Sequence, residues 1–397
     1  MSLFPLRQPV SAIGAATLTL ALLPLLGAGC LRFGVDRLPL APEPAPQAEV
    51  DAFIESGRDA RVANITVYRG TTGKPVFQNA NRPWYGKSAL VRFFGPGKSS
   101  LPIVRAESAR MEEYGLLLDP TARQNWCRYE SAPDQDYRPF KEDPDGEPIG
   151  EYPDHVVSDI PGYAGVANKV VFETLHVESP VYYVPPAYGL LGPLARPEAA
   201  PAPERSWLVR RAMEGARKRI TAVMGASLMQ AFSFIRISFP ERTAILATSQ
   251  TYRSGSQEVL HLPMTMVRER PSVVARIDGS MQNCWIDLAG DFALSVPAGV
   301  PELAGAAERG TAMLDLGGYV LDEVPVVTHE SLGLPPEAPP RIGWRLWREY
   351  TVVLDFKQST LWLEDNSFDA AAAEQAAKAA AEAEGESAPL HYRGITP

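Results

Sequence analysis

Tyr114-Gly115-Leu116-Leu117-Leu118-Asp119-Pro120-Thr121-Ala122-Arg123 is an apolar strand that ends in an aspartate and turns, and Cys284-Trp285-Ile286-Asp287-Leu288-Ala289-Gly290-Asp291-Phe292-Ala293 follows the same plan. Each apolar run is short and bounded by turn-forming residues, which marks a buried strand and not a helix. The residues downstream repeat too. Ala222-Val223-Met224-Gly225 leads into Phe234-Ile235-Arg236-Ile237-Ser238-Phe239 and then Thr243-Ala244-Ile245-Leu246, and Arg341-Ile342-Gly343 leads into Val352-Val353-Leu354-Asp355-Phe356 and then Thr360-Leu361-Trp362-Leu363. The step from Gly225 to Ser238 is 13 positions and that from Gly343 to Asp355 is 12. One repetition with a period well above that of solenoid repeats predicts two similar units, mainly β, each ending in a glycine turn, a short helix, a strand, a tight turn and another strand.

This order resembles the pepsin and retropepsin aspartic proteases. In that family an apolar strand delivers Asp-Thr/Ser-Gly, and a later aliphatic-aliphatic-Gly precedes a helix and a closing hairpin. The segment from Thr351 to Leu363 is the best match. The resemblance implies a bilobal acid-protease fold, with β-barrel lobes and short helices, over about Ile65 to Leu363. It also implies a catalytic pair, Asp119 and Asp287, one from each lobe, close enough to share a proton and to act as general acid and base on a peptide bond.

The motif departs from the family in both lobes. Pro120 and Leu288 stand where the family has Thr or Ser, and Thr121 and Ala289 stand where it has Gly. Pro120 also removes a backbone donor. These changes favour a degenerate catalytic centre whose inter-lobe cleft binds an extended peptide or protein, or only packs lobe on lobe. The alternatives are an active aspartic endopeptidase and a purely structural envelope protein. Taken singly, each aspartate also fits a carboxylate that satisfies turn amides. Asp291 reads as a loop carboxylate or the partner of a cation in the cleft.

Outward from the β body, the N-terminus has a single basic residue, Arg7, then an uncharged apolar run from near Ser11 to Leu25-Leu26-Gly27-Ala28-Gly29-Cys30. Such a run is short for a membrane span and has the layout of a secretory signal. A cysteine directly after the cut resembles a bacterial lipobox, although Gly27 stands where an aliphatic residue is usual. The resemblance implies lipid attachment at Cys30, a membrane anchor and a place in the bacterial cell envelope, with the ectodomain in the periplasm or at the cell surface. Leu31, where an Asp favours inner-membrane retention, leans towards the outer membrane. The expected organisation is a signal peptide over 1–29, a lipidated cysteine and Pro-rich tether over 30–50, an N-terminal lobe over 51–250, a C-terminal lobe over 256–366 and an Ala/Glu-rich tail over 367–397.

Composition excludes several classes. Without the first 29 of 397 residues the chain carries 37 basic and 47 acidic side chains, which argues against nucleic acid as a partner. Cys127 and Cys284 are too few for a disulfide scaffold; they form one bridge or remain two buried thiols, the second reading being preferred. No Gly-x-Ser-x-Gly elbow, spaced histidine pair or phosphate loop is present, so no cofactor and no metal are expected. The acidic run around Asp143-Pro144-Asp145-Gly146-Glu147 lacks the ligand spacing of a calcium loop, and Arg205 to Arg219 reads as a basic surface helix, the alternative being an amphipathic helix that touches lipid headgroups or an acidic partner. Oligomeric state is not legible.

Overall fold

The structure is a computed structural model, and it describes residues 38, 45–55, 65–69, 75–94, 101–131, 137–139, 152–154, 160–184, 215–216, 218–255 and 259–365. The signal segment, Cys30, the centre of the acidic loop, most of the basic segment and the Ala/Glu-rich tail lie outside the described residues. Those that are described belong to one compact unit. The fold is mainly β with a few short helices, and its strands form two large curled sheets of 11 and 12 strands beside a two-stranded ribbon, consistent with a β-rich bilobal arrangement.

The 11-stranded sheet is built from the first half of the chain. Its centre is the strand Glu113–Leu118, antiparallel to Ile103–Ser108 on one side and parallel to Ile220–Met224 on the other. Leu116, Leu117 and Leu118 are all fully buried, so both faces of this strand meet protein. That explains a continuous apolar run where a half-solvated strand would alternate. Ser88–Arg92, by contrast, buries only Ala89 and Val91 and exposes Leu90 and Arg92, the period-two pattern of a one-sided strand.

The 12-stranded sheet holds the strands of the second half and crosses the boundary expected near residues 250–256. Phe234–Ser238, Thr243–Ala247 and Ser88–Arg92 all belong to it, with Phe234–Ser238 antiparallel to Tyr350–Asp355. Ser88–Arg92 therefore pairs with a strand far along the chain and not with its sequence neighbours. The main apolar cluster runs through both halves and contains Val91, Leu116 and Tyr182 as well as Val273, Leu294 and Trp344.

Part of the segment read as a free tether is docked. Leu38 is fully buried in a cluster with Ile103, Leu117 and Ile220, Ala45 donates its amide to Glu130 Oε1 at 3.1 Å, and Gln47–Glu55 is a helix that buries Val50. Lack of apolar periodicity in a Pro-rich stretch does not prevent a single leucine from filling a hole. Cys127 and Cys284 are free, buried thiols with no bridge between them, and burial pushes the Cys284 thiol up to about 12. Among the described residues no helix is long and apolar enough to cross a membrane.

Candidate functional site

Both aspartates are placed by the same local device. The first ends the strand Glu113–Leu118 and the second ends Ser280–Ile286. In each half a parallel neighbour strand closes on the aspartate: Asp119 donates its amide to Met224 O at 3.0 Å, and Asp287 donates to Ile342 O at 2.9 Å. Three residues past each aspartate a carbonyl caps the next short helix, with Ala226 N donating to Ala122 O at 2.7 Å and Trp344 N to Gly290 O at 2.9 Å. Gly225 and Gly343 sit at the matching turns because the backbone of the aspartate loop passes over them; an added Cβ would lie 2.1 Å from Gln124 O or 2.2 Å from Phe292 O.

The two carboxyl groups are buried and held differently. Asp119 Oδ1 accepts two hydrogen bonds from one residue, the Thr121 amide at 2.9 Å and the Thr121 hydroxyl at 2.6 Å. Thr121 thus occupies its own aspartate and does not reach across to the other loop, and it supplies donors that Pro120 cannot. Asp287 Oδ1 accepts from the amides of Ala289 at 3.1 Å and Gly290 at 2.6 Å. Asp119 Oδ2 is buried without a hydrogen-bond partner among the described residues, whereas Asp287 Oδ2 faces the Nη1 of Arg341 at 3.5 Å.

Ala289 of the second loop lies in one apolar cluster with Ala122 of the first, and the charge of Asp287 acts on Asp119, so the structure places the two predicted residues near one another. Burial first, and the charge of Asp287 second, raise the Asp119 carboxyl to about 6, against the opposing pull of the Thr121 hydrogen bonds and Arg341. The pair therefore carries a proton on Asp119 well into the mildly acidic range.

Further residues complete the site, and motif reading gave them no role in it. Arg341 is wholly buried and lies with its guanidinium 5.1 Å from the centre of the Trp285 ring; Arg270 lies over the same ring at 4.6 Å. Arg270 Nε also donates to Thr121 O at 2.8 Å, which ties the second half to the loop of the first. A second tie joins Arg123 to Glu269 at 3.4 Å. The signal for Arg341 was available. It stands one residue before Ile342-Gly343, where the first half has Val223 before Met224-Gly225, so a charge replaces an apolar side chain in an otherwise repeated strand end.

Beside this cluster lies a cavity of about 200 Å³ lined by Arg123, Arg268, Arg270, Trp285, Pro335, Glu337 and Ala338, and neither aspartate lines it. Asp291 is a loop carboxylate paired within its own half, accepting from Arg345 Nε at 2.9 Å. Among the described residues no group of three histidine, cysteine or acidic side chains is arranged to hold a metal.

No family model and no curated protein matches the chain. Among solved structures, it is similar to Basic 7S globulin from soybean at 12% identity and a TM-score of 0.43, over 70% of this chain and 94% of that one. The assignment to the aspartic proteases is corrected: the matched structure is titled a globulin and not a protease, and no family model or curated protein supports the assignment. The lipoprotein class likewise finds no support in these comparisons. What stands is the geometry of the two buried carboxyl groups.

Proposed function

We propose that this chain is a non-catalytic β module used for binding or scaffolding, in which the Asp119–Asp287 pair clasps the two halves together. The observation that carries this reading is Arg341, a wholly buried cation on Asp287. A pair that works as acid and base has to pass its shared proton to a substrate and a water. Here a wholly buried guanidinium stands 3.5 Å from Asp287, and Asp119 is held by the amide and hydroxyl of its own threonine. The neighbouring residues Pro120, Thr121 and Leu288 are buried as well, so the groups serve an interface.

The test is incubation of the purified protein with a denatured protein substrate from pH 3 to 7, beside Asp119→Asn and Asp287→Asn. The expected result is no cleavage that depends on either aspartate. Cleavage by the parent that disappears in both variants would overturn the proposal. Export to the cell envelope is proposed on Arg7 and the apolar run that follows it, and recovery of the intact, unprocessed chain from the cytosol would contradict it.

A further inference from the structure

The cavity next to the carboxyl pair has features that the clasp does not use. Its wall combines apolar surface, from Trp285, Pro335 and Ala338, with three guanidinium groups, those of Arg123, Arg268 and Arg270, and one carboxylate, that of Glu337. The arginines are not equivalent. Arg123 is paired with Glu269 at 3.4 Å, and Arg270 is engaged by the carbonyls of Thr121 and Arg268, each at 2.8 Å. Arg268 is exposed, and among the described residues no acid pairs with it.

The local backbone holds Arg268 in place. Val267 pairs with Arg270 across a two-residue turn in which Arg268 and Glu269 have φ of 51° and 65°. Two successive non-glycine residues in the left-handed region cost about 1 kcal/mol or more each, and they persist only where neighbours fix them. Here the Arg123–Glu269 pair and the Arg270 bond to Arg268 O do so. A guanidinium at the rim of an apolar hollow matches a ligand that is apolar in its body and anionic at its tip, since Arg binds carboxylates with directional donors and Trp supplies contact area.

We infer that this cavity is a binding site for an apolar molecule ending in a carboxylate, such as the C-terminal residue of a peptide. Arg268 receives the carboxylate, and Trp285, Pro335 and Ala338 enclose the apolar body. The inference deepens the binding reading above, and it is tested by occupancy alone, so the outcome of the cleavage assay does not bear on it.

The experiment is titration of the full chain with N-acetyl-leucine, its uncharged amide and inorganic phosphate, followed by calorimetry and ligand-observed nuclear magnetic resonance. The acid is expected to bind at least about tenfold more tightly than the amide, and more tightly than phosphate, which has no apolar body. Arg268→Ala, at an exposed position, is expected to abolish the preference for acid over amide while leaving the thermal midpoint unchanged. Glu337→Gln, which removes the one acid of the wall, is expected to tighten acid binding a few-fold. Equal binding of acid and amide, phosphate as good as the acid, full retention of the preference in Arg268→Ala, or no binding of the acid would each overturn the inference.

Discussion

At the scale of single residues, the two aspartates are chemically similar and electrostatically opposite. Asp287 has a cation within reach, while Asp119 has a hydroxyl, an amide and the neighbouring carboxylate. The Asp119 carboxyl rises from 3.8 to about 6 in the folded protein. Between those values the folded state binds more protons than the unfolded chain, so this group makes stability fall as pH rises from about 4 to about 6 and leaves a constant penalty above. Asp119→Asn keeps the oxygen that accepts from Thr121 and removes the ionisable group on which the charge of Asp287 acts. It is expected to be more stable than the parent at pH 7, by on the order of 2–3 kcal/mol, with the gain vanishing near pH 4. Asp287→Asn is expected to act the other way, because it removes the carboxylate that faces the buried Arg341. A loss of about 3 kcal/mol at pH 7 is expected, the low end for breaking a buried pair, since Asp119 can then ionise in its place. Urea denaturation of the three proteins at pH 4, 5, 6 and 7 checks both. Equal effects of the two substitutions at pH 7 would contradict the asymmetry.

At the scale of elements, each half places its aspartate through a strand end, a glycine and a four-residue helix, Ala226–Met229 or Trp344–Trp347. Such short helices have little stability of their own, so the turn depends on the carbonyls of the aspartate loop that cap them. Gly225→Ala and Gly343→Ala would each drive a Cβ into a backbone oxygen, a clash that no rotamer change relieves. Each is expected to cost about 3 kcal/mol or more, while Gly299→Ala, with open space around the new atom, stays within about 0.5 kcal/mol. Thermal unfolding of the three variants measures this, and a tolerated alanine at either loop glycine would contradict the packing described. These same elements were the legible part of the sequence, because apolar runs, glycine turns and a hairpin are local patterns. Arg341 was legible only by comparison with Val223 in the other half. The docking of Leu38 and the pairing of Ser88–Arg92 with Thr243–Ala247 were not legible, because each depends on a partner far away in sequence. The motif departures at Pro120 and Leu288 pointed away from catalysis, but they did not disclose that Thr121 would bind its own aspartate.

At the scale of the molecule, the halves are joined by one sheet as well as by the carboxyl clasp. Phe234–Ser238 pairs with Tyr350–Asp355 in antiparallel register, Arg236 opposite Val353, and the two strands hold equivalent places in the repeated plan. A buried polar group secures the region: Arg236 lies 3.4 Å from Glu364, whose other oxygen accepts from Ser254 at 2.6 Å and from Tyr252. Burial, and then the charge of Glu364, raise the Tyr252 phenol well above its ordinary value, so the group stays a donor. A fragment comprising residues 256–397 would lose Phe234–Ser238 and expose the edge of Tyr350–Asp355, in which Val352, Val353 and Leu354 are fully buried in the intact chain. An apolar unpaired edge is a template for another strand. Because the missing strand is the repeat's own equivalent, a second copy of Tyr350–Asp355 can take its place with Val353 opposite Val353. The fragment is therefore expected to run as a dimer or larger species in size exclusion with light scattering. Val353→Lys, which sets like charges directly opposite one another at that centre, is expected to weaken the association. A monomeric fragment whose Tyr350–Asp355 amides resist hydrogen exchange would show that the edge needs no partner, and the single sheet would then not be what unites the halves.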